Sequence, residues 1–386
     1  MNAYLESVLP RSRWLIGILV VGLVGYPVFG TVVALSQLPS LAASIPVRLF
    51  IALASIGIIL GTRSSSPSLK TLVLRLFWAV YLARLVWDTV FTDIEGADEA
   101  LLFFSTTCLL PAAALLRARS SDFNEIAIAR LILWFGLVAC ILAVVPTLGG
   151  FAGPRSILAE TGRLGFDNVN PITFGHVATS TVIGAIALWH RKRVGGGGAL
   201  LLLALFFSAA TLQLSGSRGP AVSLAACLFF AGIYNRNMRP ILIVIVVGIS
   251  GLMIGGGGAL EDRFGNVEGD PSTLERLLVQ SNAIRQFMDS PIVGSAYIER
   301  ELHIYPHNPF IEAAMATGII GLIMFALIFL VVFTSIVSLL GRGYLLIPLL
   351  TLQYVIASMV SGSLYLSAPM WMLFSIVIVC AKDATH

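Results

Sequence analysis

HNPFIEAAMATGIIGLIMFALIFLVVFTS, residues 307–335, decides the fold. From Phe310 to Ser335 the run carries no charge apart from Glu312 and is otherwise apolar but for Thr317, Thr334 and Ser335. At about 1.5 Å of rise per residue it is long enough to cross the roughly 30 Å hydrocarbon core of a bilayer. Its mouth carries a histidine, an asparagine and a glutamate, and ionisable groups at such a depth are costly unless they serve a function. The rest of the 386-residue chain has the same character: 57% of residues are hydrophobic, 11% are charged, and the mean hydropathy is +0.92. A soluble domain needs roughly 25% charged residues to cover its surface, so the outer surface here is lipid. The predicted class is all-α: a polytopic integral membrane protein, with residues 1–386 forming a single transmembrane domain.

Counting about 20 apolar residues per crossing gives about twelve transmembrane helices. They lie near 14–36, 44–61, 69–91, 99–116, 126–147, 170–189, 197–214, 219–234, 240–256, 310–335, 344–361 and 364–381. The opening MNAYLESVLPRSRW leads into an apolar stretch too long for a signal-peptide core, which predicts an uncleaved first helix. An even count puts both termini on one side. With the termini inside, the inner face collects Arg11, Arg13, Arg63, Lys70, Arg117, Arg119, Arg191, Lys192, Arg193, Arg236, Arg239, Arg342 and Lys382. That set holds every lysine, as positive-inside orientation requires. The predicted location is the bacterial inner (cytoplasmic) membrane, with cytoplasmic termini and membrane lipids as neighbours. A net charge of +4 reports orientation and implies no nucleic-acid partner. Cys108, Cys140, Cys227 and Cys380 all fall in apolar runs without zinc or disulfide spacing.

Seven arginines break the charge rule: Arg155, Arg163, Arg218, Arg263, Arg276, Arg285 and Arg300. They occupy three outer segments, 148–169, 215–219 and 257–309, the last a long periplasmic loop. Single arginines there touch lipid headgroups readily. Seven without one lysine point instead to guanidinium chemistry, because the planar fork grips phosphate bidentately. LSGSRGP (214–220) sets Arg218 in a tight turn, with Ser217 as a donor and a helix N-terminus aimed outward. DPSTLERLLVQSNAIRQFMDSP (270–291) predicts an amphipathic helix opened by a Ser272–Glu275 capping box. Its apolar stripe of Leu274, Leu277, Leu278, Ile284 and Met288 faces the membrane and Arg276 faces away, while Arg285 falls on the apolar side.

His303 and His307 are four apart, with glutamates nearby, but Pro306 and Pro309 break any helix that would align the imidazoles. No His-Glu-x-x-His pattern exists, so no metal site is expected. His303 reads as a surface cap. Arg48, Arg84 and Asp88 lie toward the outer ends of their spans, and Arg84 can pair with Asp88 one turn on. No Walker motif, dinucleotide loop or nucleophile elbow appears, and GGGG at 195–198 and 255–258 lacks the Lys-Ser/Thr of a phosphate loop.

His307-Asn308, nine residues, then Gly318-Ile-Ile-Gly321 resembles the H-[N/S/Q]-x9-G-x-x-[G/T/Y] signature of bacterial O-antigen ligases, shared with related polysaccharide polymerases. LSGSRG resembles that family's outer-face arginine turn. TLERLLVQSNAIRQFMDSPIVGS resembles its periplasmic "R-x-x-x-W…P-hydrophobic-x-G" helix, with Arg276, Pro291 and Gly294 in place but Gln280 at the tryptophan position. DNVNPITF resembles the Asn-Pro opening of the preceding span. The likeness covers a core of about 165–330. It implies transfer of a glycan from undecaprenyl pyrophosphate to an acceptor hydroxyl at the periplasmic face, inverting, metal-independent and without a cofactor. The arginines, Arg218, Arg276 and Arg285, are implied to hold the pyrophosphate, and His307 to handle the acceptor.

Physical chemistry agrees. Pyrophosphate is a good leaving group, so fixed guanidinium groups that stabilise developing charge are the main requirement. Neutral imidazole suits the acceptor's proton, and nearby arginines keep it neutral. Asn308 is placed to orient sugar hydroxyls, with Ser217, Arg48, Arg84 and Asp88 in support. Glu312 either orients the imidazole or is itself the base. The acceptor is lipid A–core in a ligase, which the named signature favours, a second lipid-linked repeat in a polymerase, or a protein hydroxyl. A transporter or flippase for an anionic lipid would instead place charges near the midplane and repeat its halves, and neither is seen.

Overall fold

A computed structural model describes residues 10–62, 68–92, 94–191, 198–235 and 271–382. The described residues are almost wholly helical, with only isolated bridges at Ser156–Phe166 and Phe166–Val169. We label the main helices α1 (Arg11–Leu35), α2 (Leu41–Gly61), α3 (Leu69–Phe91), α4 (Ala97–Leu115), α5 (Glu125–Leu148), α6 (Pro171–His190), α7 (Gly198–Ser215), α8 (Arg218–Asn235), α9 (Pro271–Asp289), α10 (Pro309–Gly341), α11 (Leu346–Ser361) and α12 (Ala368–Lys382). Among them α1, α2, α4, α5, α6, α7 and α10 are long and apolar enough to cross a membrane. The helix α3 has the length but carries Lys70, Arg75, Arg84 and Asp88. Shorter apolar helices occupy Arg218–Tyr234, Leu346–Ser361 and Ala368–Lys382. The expected span 240–256 lies outside the described residues, as do Arg263 and the side chain of Ser272 in the expected capping box.

Helix starts follow local chemistry. Asn124, Asn170 and Asn308 each turn a side-chain oxygen back onto the first free amides of α5, α6 and α10. Pro171 and Pro309 take the first helical positions of α6 and α10, where a missing N–H costs nothing. Ser68 caps α3 in the same way.

The chain divides into two compact units. The first comprises Met1–Ile51, Ser121–Asn266 and Leu340–Gln353. Its centre is α6, packed on α5 and α7. Gly136 permits the α5 approach, since a Cβ there would collide with Thr181. Phe166, Val169 and Phe174 anchor the 151–170 segment to Ala34, Ala143 and Val144. The second unit comprises Ala52–Ser120, Val267–Leu339 and Tyr354–His386. Its core is an aromatic cluster in which Trp371 contacts Phe77, Trp78, Phe104, Phe325 and Phe374.

Candidate active site

The second unit gathers the histidine motif. At Gly318 (φ 67°, ψ −163°) the long helix α10 breaks, so Pro309–Thr317 forms a short segment ahead of the main rod. The break receives the 290–295 loop: Ile319 N donates to Pro291 O at 2.8 Å, and Ser295 N donates to Met315 O at 2.9 Å. Gly294 (φ 71°) faces it from the other side. A Cβ on Gly318 would strike the Ile292 carbonyl, and one on Gly294 would strike the Ala316 carbonyl. The two motif glycines thus form one device, a crossing of two backbones with no room for side chains. At Gly321 a Cβ would meet the Thr317 side chain one turn earlier in the helix.

Arg84 and Asp88 clamp the same loop. Arg84 pairs with buried Asp88 at 3.2 Å, and its guanidinium donates to the carbonyls of Val293 (3.0 Å), Gly294 (3.2 Å) and Ser295 (3.3 Å). The other oxygen of Asp88 accepts from Tyr297 N at 2.8 Å. One helical turn earlier on α3, Tyr81 donates to Glu312 Oε1 at 2.8 Å. Glu312 is fully buried and also accepts from Ser363 Oγ (3.2 Å) and Leu364 N (2.8 Å). Its oxygens are committed to the Ser363 hydroxyl, the Leu364 amide and Tyr81 of α3, so it fixes the loop that follows α11.

His307 sits at the mouth of α10 with φ 55°, a conformation unusual for a non-glycine residue. A ring N–H donates to the Ser361 carbonyl, while Nδ1 is buried with no hydrogen-bond partner among the described residues. Loss of solvation lowers its pKa to about 4, with the Arg276 charge adding to the effect and the Ser361 bond opposing it. The imidazole is therefore neutral at pH 7, with a lone pair on Nδ1. Arg276, half-buried on α9, donates to Val360 O at 3.2 Å. Asn308 spends its oxygen on the α10 cap, bonding Phe310 N (2.9 Å) and Ile311 N (3.4 Å). Arg285 is exposed, bonds Asn282 and pairs with Glu301 at 3.9 Å. His303 (φ 56°) donates its backbone N–H to Glu299.

In the first unit the arginine turn is braced from outside. Arg163 donates through Nε to Ser215 O and through Nη2 to Ser217 Oγ, both at 2.8 Å. The turn glycine, Gly216, has φ 56°. Leu164 N donates to Leu214 O at 2.7 Å, so the 163–164 backbone lies along the turn. Arg218 opens α8, half-buried. Arg155 pairs with Asp167 at 3.2 Å. Arg48 is exposed on α2.

The structure thus brings His307, Asn308, Glu312, Arg276, Arg285, Arg84 and Asp88 into one unit, and Arg218, Ser217 and Arg48 into the other. Sequence reasoning did not single out Tyr81, the Ser361 carbonyl or the bracing role of Arg163. Tyr81 shares a helix face with Arg84 and Asp88 at i, i+3 and i+7, which was the available signal. Among the described residues no three His, Cys, Asp or Glu side chains gather as a metal-binding group.

Residues 199–326 match the family model described as O-antigen ligase. Over this segment, 128 of the 386 residues, the chain is similar to the O-antigen ligase family. The segment runs from α7 through the break in α10 and holds Ser217, Arg218, Arg276, Arg285, His307, Asn308 and Glu312. No curated protein sequence matches the chain.

Proposed function

We propose that the protein is an inverting, metal-independent glycosyltransferase of the bacterial inner membrane. It moves a glycan from undecaprenyl pyrophosphate to an acceptor hydroxyl at the periplasmic face, as an O-antigen ligase acting on lipid A–core. The observation that carries this is His307: an imidazole kept neutral by burial and by Arg276, with an unpaired buried Nδ1. Nδ1 takes the acceptor's proton, the acceptor oxygen attacks the anomeric carbon, and the lipid diphosphate leaves from the opposite face, inverting that carbon. Arg276 and Arg285, in the same unit as His307, stabilise the departing charge. As the diphosphate approaches Arg276, its charge offsets the guanidinium field on His307 and makes the imidazole a stronger base. Asn308 and Glu312 hold the mouth of α10, and Arg84 with Asp88 holds the loop against it.

The exposed apolar face of α9 (Leu274, Leu277, Leu278 and Met288) fits a seat at headgroup level, with Val279, Asn282 and Ala283 buried against its own unit. That seat matches the depth of a lipid-borne diphosphate. The deciding experiment supplies purified protein with a lipid-linked glycan and either lipid A–core or a second lipid-linked repeat. Glycan on lipid A–core supports the ligase, and chain growth on the lipid carrier supports the polymerase. Movement of the labelled lipid across a vesicle membrane without any transfer would replace the enzyme by a flippase.

A further inference from the structure

Four tyrosines are linked to His307 or Glu312, directly or through one another's rings, and they divide into two kinds. Tyr81 and Tyr297 are buried (0% and 2% exposed), and both hydroxyls are engaged, with Glu312 and with the Glu95 carbonyl. Tyr305 and Tyr365 are only half-buried, and among the described residues neither hydroxyl has a hydrogen-bond partner. Core packing accounts for the first pair and not for the second. The Tyr305 ring lies 4.4 Å from the His307 ring and 6.2 Å from Tyr365, which it meets edge-on at 87°. Tyr365 is braced from behind by Tyr297 at 5.6 Å.

We propose that Tyr305 and Tyr365 seat a pyranose ring of the acceptor beside Nδ1 of His307. The inference rests on the glycosyl-transfer reading and deepens it by naming the two side chains that hold the acceptor sugar. A pyranose presents a face of C–H bonds that packs on an aromatic ring, and a rim of hydroxyls that need donors and acceptors. Two partly exposed phenols, an imidazole lone pair and the Asn308 amide nitrogen supply that combination. Burial raises the pKa of both phenols, so they remain O–H donors at neutral pH. The serine or threonine side chain of a protein acceptor has a single hydroxyl and no ring. It would leave both tyrosines without a partner.

The test is saturation-transfer NMR on the full chain in lipid nanodiscs. The probes are methyl glucoside, methyl galactoside and methyl N-acetylglucosaminide, with a serine-containing peptide beside them. At least one pyranoside is expected to receive saturation at its ring C–H protons, and the peptide none. Tyr305→Ala and Tyr365→Ala each weaken pyranoside binding by roughly tenfold, whereas the Phe variants lose under about threefold because the ring is kept. Tyr365→Leu keeps apolar volume without the aromatic face, so loss of the signal at an unchanged melting temperature isolates stacking from folding. Undecaprenyl pyrophosphate binding, measured on the same samples, is unaffected by these changes. Wild-type protein that binds undecaprenyl pyrophosphate but no pyranoside overturns the sugar seat and leaves the transfer reading standing. Binding of neither overturns both. Pyranoside binding that survives both Ala variants, or peptide saturation in its place, overturns the seat.

Discussion

The electrostatic link between Arg276 and His307 is open to direct measurement. Burial and the Arg276 charge both lower the imidazole pKa, from 6.5 to about 4. A lowered pKa favours the neutral form, so the base form persists as pH falls and is lost only near the new midpoint. At pH 5 about 90% of His307 remains neutral with a midpoint of 4, against about 3% with a midpoint of 6.5. Arg276→Gln removes the second cause and leaves the first and larger one. The midpoint therefore rises without reaching 6.5, and the neutral fraction at pH 5 falls between those limits. The assay is NMR titration of histidine-labelled protein in nanodiscs, with His307→Gln assigning one of the five histidines. Kinetics provide a second readout. The acid limb of kcat/KM follows the free enzyme, and that of kcat follows the donor complex, in which the diphosphate offsets Arg276. The kcat limb is thus expected at higher pH. A wild-type His307 titrating between 6 and 7, or one that Arg276→Gln does not move, refutes this account of the base.

Other perturbations separate chemistry from scaffolding. Gly318→Ala forces a side chain into a positive-φ position against the Ile292 carbonyl, costing about 3 kcal/mol or more and visible as a lowered melting temperature in detergent. Arg84→Ala leaves Asp88 charged and buried without its partner and frees the 293–295 carbonyls; a loss of about 3–5 kcal/mol is expected, while Asp88→Asn, which keeps an acceptor for Tyr297 N, loses less. Glu312→Ala strands the Leu364 amide and the Tyr81 hydroxyl and lowers stability by about 1–3 kcal/mol per group, with the acid limb of the rate profile unchanged in shape. Inactivity of Glu312→Gln at every pH without any change in melting temperature would make Glu312 the base instead. EDTA leaves transfer by the purified protein unaltered, and inhibition reversed by a divalent ion contradicts the metal-independent mechanism.

Hydropathy makes the apolar helices legible because bilayer thickness sets their length. Their internal breaks are not legible in the same way. The run 310–335 reads as one rod, yet Gly318 divides it, since hydropathy cannot distinguish a glycine that bends a helix from one that merely packs within it. The Arg84–Asp88 pair was readable from a spacing of four, but the carbonyls it grips lie some two hundred residues further on, beyond any local pattern. Asn308 reads as a sugar-orienting amide, yet its oxygen caps α10, a role that its place before Pro309 could have suggested. Glu312 was left between base and support. Only its three donors, two of them beyond residue 360, show where its oxygens go.

The second unit explains why so many residues around His307 are spent on backbone. An imidazole with an unpaired nitrogen is useful only if it cannot collapse onto the nearest donor, so both the loop before it and the helix after it need independent anchors. Arg84 and Asp88 anchor 293–297, the glycine crossing locks 291–295 to 315–319, and Glu312 ties the start of α10 to 363–364. His307 lies between these three fastenings, at positive φ, where its own backbone preference would not place it. Each fastening has main chain on at least one side, so it positions backbone as well as side chains. Loosening any one of them should therefore raise the disorder of the imidazole before it alters the charge environment that sets its pKa.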